Sequence, residues 1–433
     1  MTSTISAEVR VPGDKSLTHR ALMFAAAARG ESRLSGLLAG ADCRSTAAVL
    51  RALGVSIPPL PADGGELRIN SVGIEAWRAP TEILDCGNSG TTVRLMMGLL
   101  AGRPFCAALT GDASLRSRPM RRVTEPLSRM GARVSELGDP DRLPVELCGG
   151  VLQPLAHRSP KASAQIKSAV LLAGISGRVP VEVWEPGLSR DHTERILRSL
   201  GVSITGEAPA EGGWRVSLEP PTGPLPPLEM DVPGDPSSAA FLISVALLAR
   251  DGELLVPNVG INPTRTGFLT AVGRMGGRVE VLNQRESGGE PVADLLARPA
   301  RLRGIEIGGD EVPSMIDELP VLAALAARSE GETIVRGAEE LRAKESDRIT
   351  AVVDNLRAIG VEAEELPDGF IVRGSDRPLK GRVRTYHDHR IAMAFGVLGA
   401  LPGVELEIES PEIVDVSFPG FWETVRGLGG RRS

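Results

Sequence analysis

The sequence of 433 residues is poor in aromatic side chains, in cysteine and in long apolar runs. Aromatic residues make up only 3%, so the core must be aliphatic. The 4 cysteines are scattered and form no CxxC pair, which argues against a structural zinc site and a disulfide scaffold and indicates a reducing compartment. No apolar run reaches the roughly 18 residues of a membrane helix. The apolar (42%) and charged (24%) fractions are those of a globular protein and exclude intrinsic disorder.

An excess of basic residues is also lacking. Lys and Arg number 49 against 55 Asp and Glu, which gives a net charge of −6. This balance argues against a general nucleic-acid binder but leaves room for a local basic cleft. The length indicates two or three domains.

One pattern recurs six times: an apolar residue and then glycine at the end of a helical stretch, at intervals of 69 to 84 residues. The pairs are Leu53-Gly54, Met130-Gly131, Leu200-Gly201, Met275-Gly276, Ile359-Gly360 and Leu428-Gly429. Glycine at this place supplies the left-handed residue that closes a helix. A more apolar, buried helix is predicted earlier in each module, over Ser16–Ala28, Ser89–Ala101, Ala164–Ala173, Pro236–Ala249, Ser314–Ala327 and His389–Ala400.

Strand-like stretches lie between and after these helices. They are Val55–Ile57, Phe105–Thr110, Val181–Val183, Val202–Ile204 and Arg278–Val281. Each module is therefore predicted as strand–helix–strand–helix–strand. The segments Val11–Asp14 and Val232–Asp235 share the letters VPGD and both precede an alanine-rich helix. We expect an α/β protein of two domains with three modules each, and a substrate site in the interdomain cleft.

Polar segments precede or open several of these helices. The basic ones include Lys15–Arg20 and Ser189–His192, and small-residue ones include Gly87–Arg94, Gly111–Pro119 and Ser163–Lys167. Unpaired N–H groups and the positive dipole end make a helix start a natural anion site. Pro119 fits a first helical turn and would place Arg118 at the helix entrance. Each segment alone is equally compatible with a solvated turn or a simple cap, and none has Walker A spacing.

The C-terminal half adds acidic residues. Asp317 is predicted in the opening turn of an apolar helix, where the dipole alone could explain it. The alternating charges of Lys344–Arg348 are by themselves typical of an exposed helix face with local ion pairs. The run His387-Asp388-His389 suggests a metal, but a further ligand at helical spacing is missing, so no metal is expected.

Together, seven cations occupy module-opening positions: Lys15, Arg20, Arg118, Arg190, Lys344, Arg348 and Arg390. Arginine suits bidentate binding of carboxylate and phosphate. Acidic groups beside such cations can act as general acids or bases. The residues thus predict a metal-free enzyme for phosphorylated, carboxylated small molecules. A non-catalytic anion-binding protein is the alternative.

Eight motifs, in order from Val11 to about Pro419, resemble the EPSP synthase family of enolpyruvyl transferases. They are PGDKSLTHR, GNSGTTVRL, GDASLRSRPM, SAQIKSAVLLAG, RDHTE, PSMIDELPVLA, KESDR and DHRIAMAF. The resemblance implies two domains of three βαβαββ modules, one of residues 13–233 and a discontinuous one of residues 1–12 and 234–433. It also implies transfer of the enolpyruvyl group of phosphoenolpyruvate to the 5-hydroxyl of shikimate 3-phosphate, in aromatic amino acid biosynthesis, without a cofactor.

The resemblance also implies roles for individual residues. Binding of shikimate 3-phosphate would fall to Lys15, Ser16, Arg20, Ser163, Ala164, Gln165, Arg190, Asp317 and Lys344. Binding of phosphoenolpyruvate would fall to Lys15, Gly90, Arg118, Gln165, Arg348 and Arg390. Asp317, Glu345 and Lys15 would be catalytic, with Asp317 taking the hydroxyl proton and Glu345 serving the methylene carbon. Asn88 and His389 would shape the anion pocket.

Two local features modify this picture. One branch of the family has a lysine before a TFP-like motif, whereas here Val416 precedes Ser417-Phe418-Pro419, so that phosphate contact is absent or replaced. Lys167 in SAQIK resembles the other branch. Gly90 implies sensitivity to glyphosate, which occupies the phosphoenolpyruvate site and is crowded by alanine at this position in some relatives.

Two other enzymes of related fold remain as alternatives. The transferase that uses UDP-N-acetylglucosamine typically has a reactive cysteine on a mobile loop, whereas Cys106 is predicted in a buried strand. An RNA 3′-end cyclase-like enzyme would need a catalytic histidine, and the acidic net charge argues against RNA. We expect a monomer that binds small molecules and neither nucleic acid nor membrane. Because Met1 lies about ten residues before the first motif, no transit peptide is expected and a bacterial cytoplasm is predicted.

Overall fold

A computed structural model describes residues 4–428, in which helices and short mixed sheets alternate. The strands are β1 (Thr4–Glu8), β2 (Arg29–Ser35), β3 (Leu67–Val72), β4 (Leu84–Asp85), β5 (Cys106–Thr110), β6 (Arg133–Glu136), β7 (Val145–Cys148), β8 (Leu155–Arg158), β9 (Val181–Glu185), β10 (Ser203–Glu207), β11 (Trp214–Glu219), β12 (Glu229–Asp231), β13 (Asp251–Gly260), β14 (Arg278–Ser287), β15 (Glu290–Arg298), β16 (Glu306–Ile307), β17 (Glu332–Val335), β18 (Glu362–Leu366), β19 (Gly369–Arg373), β20 (Lys380–Val383) and β21 (Glu405–Ile408).

The α-helices carry most of the apolar residues. They are α1 (Lys15–Ala27), α2 (Ala41–Ala52), α3 (Gly90–Ala101), α4 (Ala113–Arg116), α5 (Arg121–Met130), α6 (Ala164–Gly177), α7 (His192–Ser199), α8 (Pro236–Leu247), α9 (Gly267–Arg274), α10 (Leu319–Ala326), α11 (Arg348–Ala358), α12 (His389–Gly399) and α13 (Phe421–Leu428). None of the helices within residues 4–428 is both long and apolar enough to cross a membrane.

The chain forms two compact units, each with its own aliphatic core. The N-terminal unit contains Gly13–Val232 and the short segment Glu286–Glu290. The C-terminal unit contains the described residues up to Pro12, the segment Pro233–Arg285, and those from Pro291 onward.

The sheets repeat one pairing pattern, three sheets to a unit within the described residues. In the N-terminal unit β4 pairs in parallel with β5, which pairs antiparallel with β7 and through it with β6. The sheets β8-β9-β11-β10, β1-β13-β15-β14 and β16-β17-β19-β18 have the same order. The remaining two, β12-β2-β3 and β20-β21, are shortened copies. The predicted α/β class and its repetition are confirmed.

The repeated helix starts and ends follow local sequence. Asp14 and Asp235, the last letters of the two VPGD segments, accept N-cap hydrogen bonds from Leu17 N and Ser237 N at the starts of α1 and α8. Five of the predicted helix-closing glycines have positive φ, for example +92° at Gly54. The sixth, Gly429, lies outside the described residues. The pattern therefore marks helix ends as predicted.

Three local predictions are wrong. Val55–Ile57 is not a strand, since the prolines that follow offer no N–H group to a ladder. Pro119 is not in a helix: α5 begins at Arg121, so Arg118 lies between α4 and α5. The helix predicted from Ser314 begins only at Leu319, because Pro320 is tolerated in a first turn but not in a helix interior. Asp317 therefore lies in the turn before α10.

Cys106 is in β5 but is exposed, whereas its neighbours Ala107 and Leu109 are buried. It stands directly opposite Cys148 of β7, with 3.9 Å between the Cα atoms, and the two form a disulfide. Cys43 and Cys86 are buried thiols. The wide spacing of the cysteines along the sequence thus conceals a cross-strand pair.

Candidate active site

The start of α1 carries the first cationic group of the N-terminal unit. Lys15 forms an ion pair with Asp42, 3.0 Å between Nζ and Oδ2. One turn further, Arg20 is only 3% exposed and is fixed by hydrogen bonds to the hydroxyls of Thr193 (2.8 Å) and Ser168 (3.0 Å). Burial lowers the pKa of Arg20 to about 10, against the opposing attraction of Glu194. The side chain therefore remains a buried cation at neutral pH, which suits an anionic ligand.

A second group surrounds the start of α3. Asn88 donates to Asp112 (2.7 Å) and accepts from Arg118 (2.9 Å), so its amide orients that guanidinium. A Cβ atom added at Gly90 would lie 2.7 Å from Nη1 of Arg94 and 3.4 Å from Nη1 of Arg118. The absence of a side chain at Gly90 thus leaves room for two guanidinium groups at a helix N-terminus.

Gln165 connects this group to α6. Its Oε1 accepts from Nη1 of Arg94 at 2.5 Å, and its Nε2 donates to the hydroxyl of Thr91 at 3.1 Å. α3 and α6 approach closely because Gly98 faces the backbone of Ala169. The sequence analysis gave Arg94 no role of its own, although an arginine within an apolar helix is a signal in itself.

The predicted shikimate 3-phosphate residues Ser163, Ala164 and Arg190 lie at two neighbouring chain turns. Ser163 immediately precedes α6 and Ala164 opens it. Arg190 lies in the loop between β9 and α7. Ser16 contributes its carbonyl oxygen to Arg20 (3.0 Å).

The C-terminal unit gathers its predicted residues around Arg348, which opens α11 and is 1% exposed. The guanidinium contacts three carboxylates: Asp388 (2.8 Å), Glu345 (2.7 Å) and Asp317 (3.1 Å). Burial would lower the pKa of Arg348, but the attraction of Asp388, Glu345 and Asp317 outweighs it and raises the pKa. The prediction of an exposed helix face for Lys344–Arg348 is wrong: the first four residues lie before α11 and are half-buried, and Arg348, the one helical residue among the five, is buried.

Arg390 joins the same cluster from the start of α12. Its Nη1 donates to the carbonyl oxygen of Asp317 (3.3 Å), and its Nε lies 3.8 Å from Asp317 Oδ1. His389 is the first residue of α12 and is buried, and Lys344 is half-buried just before Glu345. Two arginines therefore adjoin the Asp317 carboxyl group.

Asp388 is the member of this cluster whose role the sequence analysis missed. It caps α12, accepting from the backbone N–H of Arg390 at 2.9 Å, and also accepts from Ser346 Oγ at 3.0 Å. Burial would raise its pKa, but Arg348 lowers it, and the net direction is downward. Its position before a helix was a readable N-cap signal. Its carboxylate holds Arg348 in place.

Buried arginines with carboxylate partners at helix starts are typical of a class of two-unit α/β enzymes that act on small polyanions. Comparisons with known proteins support this class. The structure resembles an EPSP synthase from Acinetobacter baumannii with a TM-score of 0.86 and 39% sequence identity, covering 99% of this chain and 97% of that one. The fold is also that of an enolpyruvyl transferase, NikO from Streptomyces tendae, with a TM-score of 0.76 at 21% identity over 99% of this chain and 96% of that one.

The sequence comparisons narrow this class to one family. The family model described as EPSP synthase (3-phosphoshikimate 1-carboxyvinyltransferase) matches residues 1–425. A 3-phosphoshikimate 1-carboxyvinyltransferase from Desulfitobacterium hafniense is 49% identical over 427 residues, 98% of this chain and 95% of the relative. One from Synechococcus sp. is 45% identical over 426 residues, 98% and 97% of the two chains. The chain belongs to the EPSP synthase family, and the resemblance inferred from the motifs is confirmed.

Proposed function

We propose that this protein transfers the 1-carboxyvinyl group of phosphoenolpyruvate to the 5-hydroxyl of shikimate 3-phosphate and releases phosphate. Family membership supports this transferase reaction over the UDP-N-acetylglucosamine and RNA-cyclase alternatives. The observation that carries the proposal is the arrangement of Asp317 and Glu345 at hydrogen-bond distance from one buried guanidinium, that of Arg348.

The substrate-binding roles follow from the resemblance of the motifs to the family. Both substrates carry phosphate, and phosphoenolpyruvate also carries a carboxylate. Arg118, Arg348 and Arg390, with Gly90, Lys15 and Gln165, bind phosphoenolpyruvate. Lys15 also binds shikimate 3-phosphate, together with Ser16, Arg20, Ser163, Ala164, Gln165, Arg190, Asp317 and Lys344. Arginine and lysine at helix entrances provide charge-assisted hydrogen bonds to these anions.

The addition step needs two proton movements. Glu345, which each elimination leaves in its protonated form, gives a proton to the methylene carbon. That carbon becomes a methyl group, and the adjacent carbon becomes cationic. The 5-hydroxyl oxygen bonds to that carbon and passes its proton to Asp317. The hydrogen bonds from Arg348 keep both carboxyl groups in fixed orientations.

Elimination reverses the proton transfer at carbon. The methyl group returns a proton to Glu345, its electron pair forms the new double bond, and the bond to the phosphate oxygen breaks. The departing phosphate takes up the proton that Asp317 received, so both carboxyl groups return to their starting states. Fixed cations such as Lys15 and Arg118 stabilise the charge that develops on the departing phosphate. The balance requires no metal, oxidant or organic cofactor.

The test is phosphate release from phosphoenolpyruvate that depends on shikimate 3-phosphate. Glu345→Gln is expected to lower kcat by about 10²–10⁴-fold while both ligands still bind. Glu339→Gln, the same change at an exposed residue of the preceding turn, serves as the control and should leave kcat unchanged. Turnover with UDP-N-acetylglucosamine instead, or binding of both ligands without turnover by the unmodified protein, would overturn the proposal.

The biological setting belongs to the same proposal. We place the reaction in the shikimate pathway towards chorismate and aromatic amino acids, in a cytoplasmic monomer that binds small molecules and neither nucleic acid nor membrane. Size-exclusion chromatography with light scattering tests the monomer, whose expected mass is 45.7 kDa.

A further inference from the structure

Glu185, at the end of β9, is a fully buried carboxylate that connects two chain turns of the N-terminal unit. Its Oε1 accepts from the backbone N–H of Ser163 at 2.7 Å, and its Oε2 accepts from the hydroxyl of Ser189 at 2.7 Å. Ser163 precedes Ala164 at the start of α6, and Ser189 precedes Arg190. One side chain therefore fixes both segments that carry proposed ligands of shikimate 3-phosphate.

Lys167 of α6 holds Glu185 in this position. Its ammonium group is 0% exposed, lies 3.1 Å from Glu185 Oε2 and 2.8 Å from Glu194 Oε1, and donates to the carbonyl oxygen of Ser189 at 3.3 Å. Burial would lower the pKa of Lys167, but the attraction of Glu194 and Glu185 outweighs it, so the pKa is raised and the ammonium stays charged. Charge-assisted hydrogen bonds of this kind fix the orientation of the carboxylate.

The connection determines which groups of Ser163 face a ligand. Its backbone N–H is occupied by Glu185, and in the described structure its side chain makes no N-cap bond to α6. The hydroxyl of Ser163 and the following N–H groups of the helix start are then the groups that can meet an anion. Glu185 repels phosphate itself and can act only through the donors that it orients.

We propose that Glu185, held by Lys167, is a positioning residue for the phosphorylated acceptor: it sets the Ser163–Ala164 turn and the Ser189–Arg190 turn at the separation that shikimate 3-phosphate requires. The inference rests on the proposed function and adds residues that none of the motif-based roles include. It differs from a general packing role because it concerns one substrate only. Phosphoenolpyruvate, which is assigned to other residues of the unit, should be little affected.

The test compares isosteric changes at the two glutamates that pair with the ammonium group of Lys167. Glu185→Gln replaces Oε2 by an amide NH₂ group. This group can neither accept the hydrogen bond from the Ser189 hydroxyl nor form an ion pair with Lys167. Glu194→Gln removes an equal charge from Lys167, but within residues 4–428 Glu194 forms no hydrogen bond with Ser163 or Ser189. For Glu185→Gln we expect KM for shikimate 3-phosphate to rise about 10-fold or more, with KM for phosphoenolpyruvate and kcat within about twofold. For Glu194→Gln, which also removes an attraction from Arg20, we expect KM for shikimate 3-phosphate to rise less than in Glu185→Gln and KM for phosphoenolpyruvate to stay within about twofold.

Two results with the glutamate variants would overturn the inference. Equal increases of KM for shikimate 3-phosphate in the two variants would show that loss of charge matters rather than the bonds to the turns. Parallel changes of both KM values in Glu185→Gln would show general disorder of the unit. If Glu185→Gln does not fold, Ser189→Ala removes one of the two bonds without removing charge, and it should raise the same KM selectively, whereas an unchanged KM would contradict the inference.

Calorimetric titration separates this inference from the proposed function. If the unmodified protein binds shikimate 3-phosphate but shows no turnover, the proposed reaction fails, and the dissociation constants of the unmodified protein and Glu185→Gln still decide the positioning role. If the unmodified protein does not bind shikimate 3-phosphate, the positioning role is refuted as well.

Discussion

His19 of α1 makes the N-terminal unit sensitive to mild acid. The ring is fully buried, and its Nδ1 lies 2.7 Å from the hydroxyl of Thr46. Nε2 has no hydrogen-bond partner within residues 4–428. Burial, with the nearby charges of Lys15 and Arg20, lowers the pKa of His19 to about 3, against the opposing effect of Asp42. The folded unit therefore holds this histidine neutral.

The magnitude follows from linkage. Between the ordinary pKa of about 6.5 and the folded value of about 3, the unfolded chain binds a proton that the folded chain does not, so stability falls as the pH falls. Between pH 7 and pH 5 the loss amounts to about 2 kcal/mol of unfolding free energy. Above the ordinary pKa the contribution of His19 is constant.

Urea unfolding followed by tryptophan fluorescence measures this loss, because Trp77, Trp184 and Trp214 lie in the N-terminal unit. The matched variant is His19→Asn, which keeps a polar group near Thr46 but does not titrate. It should lose about 2 kcal/mol less than the unmodified protein between pH 7 and pH 5. If both proteins lose the same free energy over this interval, the reasoning about His19 is refuted.

Three further outcomes are expected. Gly90→Ala places a Cβ 2.7 Å from Arg94 Nη1, so KM for phosphoenolpyruvate should rise and inhibition by glyphosate should weaken; unchanged inhibition would contradict the crowding. Asp388→Asn removes a carboxylate partner of buried Arg348 and should cost about 3 kcal/mol of stability in thermal unfolding. Cys106→Ser opens a disulfide that spans 42 residues. It should lower the free energy of unfolding by up to about 4 kcal/mol while kcat stays the same. A melting temperature equal to that of the unmodified protein would exclude this contribution.

The parts of the fold that depend on local sequence were predictable. A glycine after an apolar residue closes a helix through its own backbone freedom, and an aspartate before a helix caps it, so Gly54 and Asp14 could be interpreted without any partner. The late start of α10 was predictable in the same way from Pro320 but was missed. The burial of Arg348 was not predictable in this way, since it depends on carboxylates from three separate segments.

Pairs distant in sequence could not be predicted from spacing. Cys106 and Cys148 meet only because β5 and β7 are paired in one register. Lys167 lies within an apolar helix, but its pairing with Glu185 depends on how β9 lies beside α6. The motif-based residue roles stay predictions, since no ligand contact tests them.

The strand β1 has a consequence for synthesis of the chain. It pairs with β13, Thr4 opposite Asp251, so its partner leaves the ribosome about 250 residues later. At about 5–20 residues per second, β1 waits roughly 10 to 50 seconds without its partner strand while Gly13–Val232 of the N-terminal unit emerges. In a circularly permuted gene that starts at Pro233 and joins the first twelve residues through a linker after the present C-terminus, β13 would be synthesised first, so β1 would leave the ribosome with its partner strand already made.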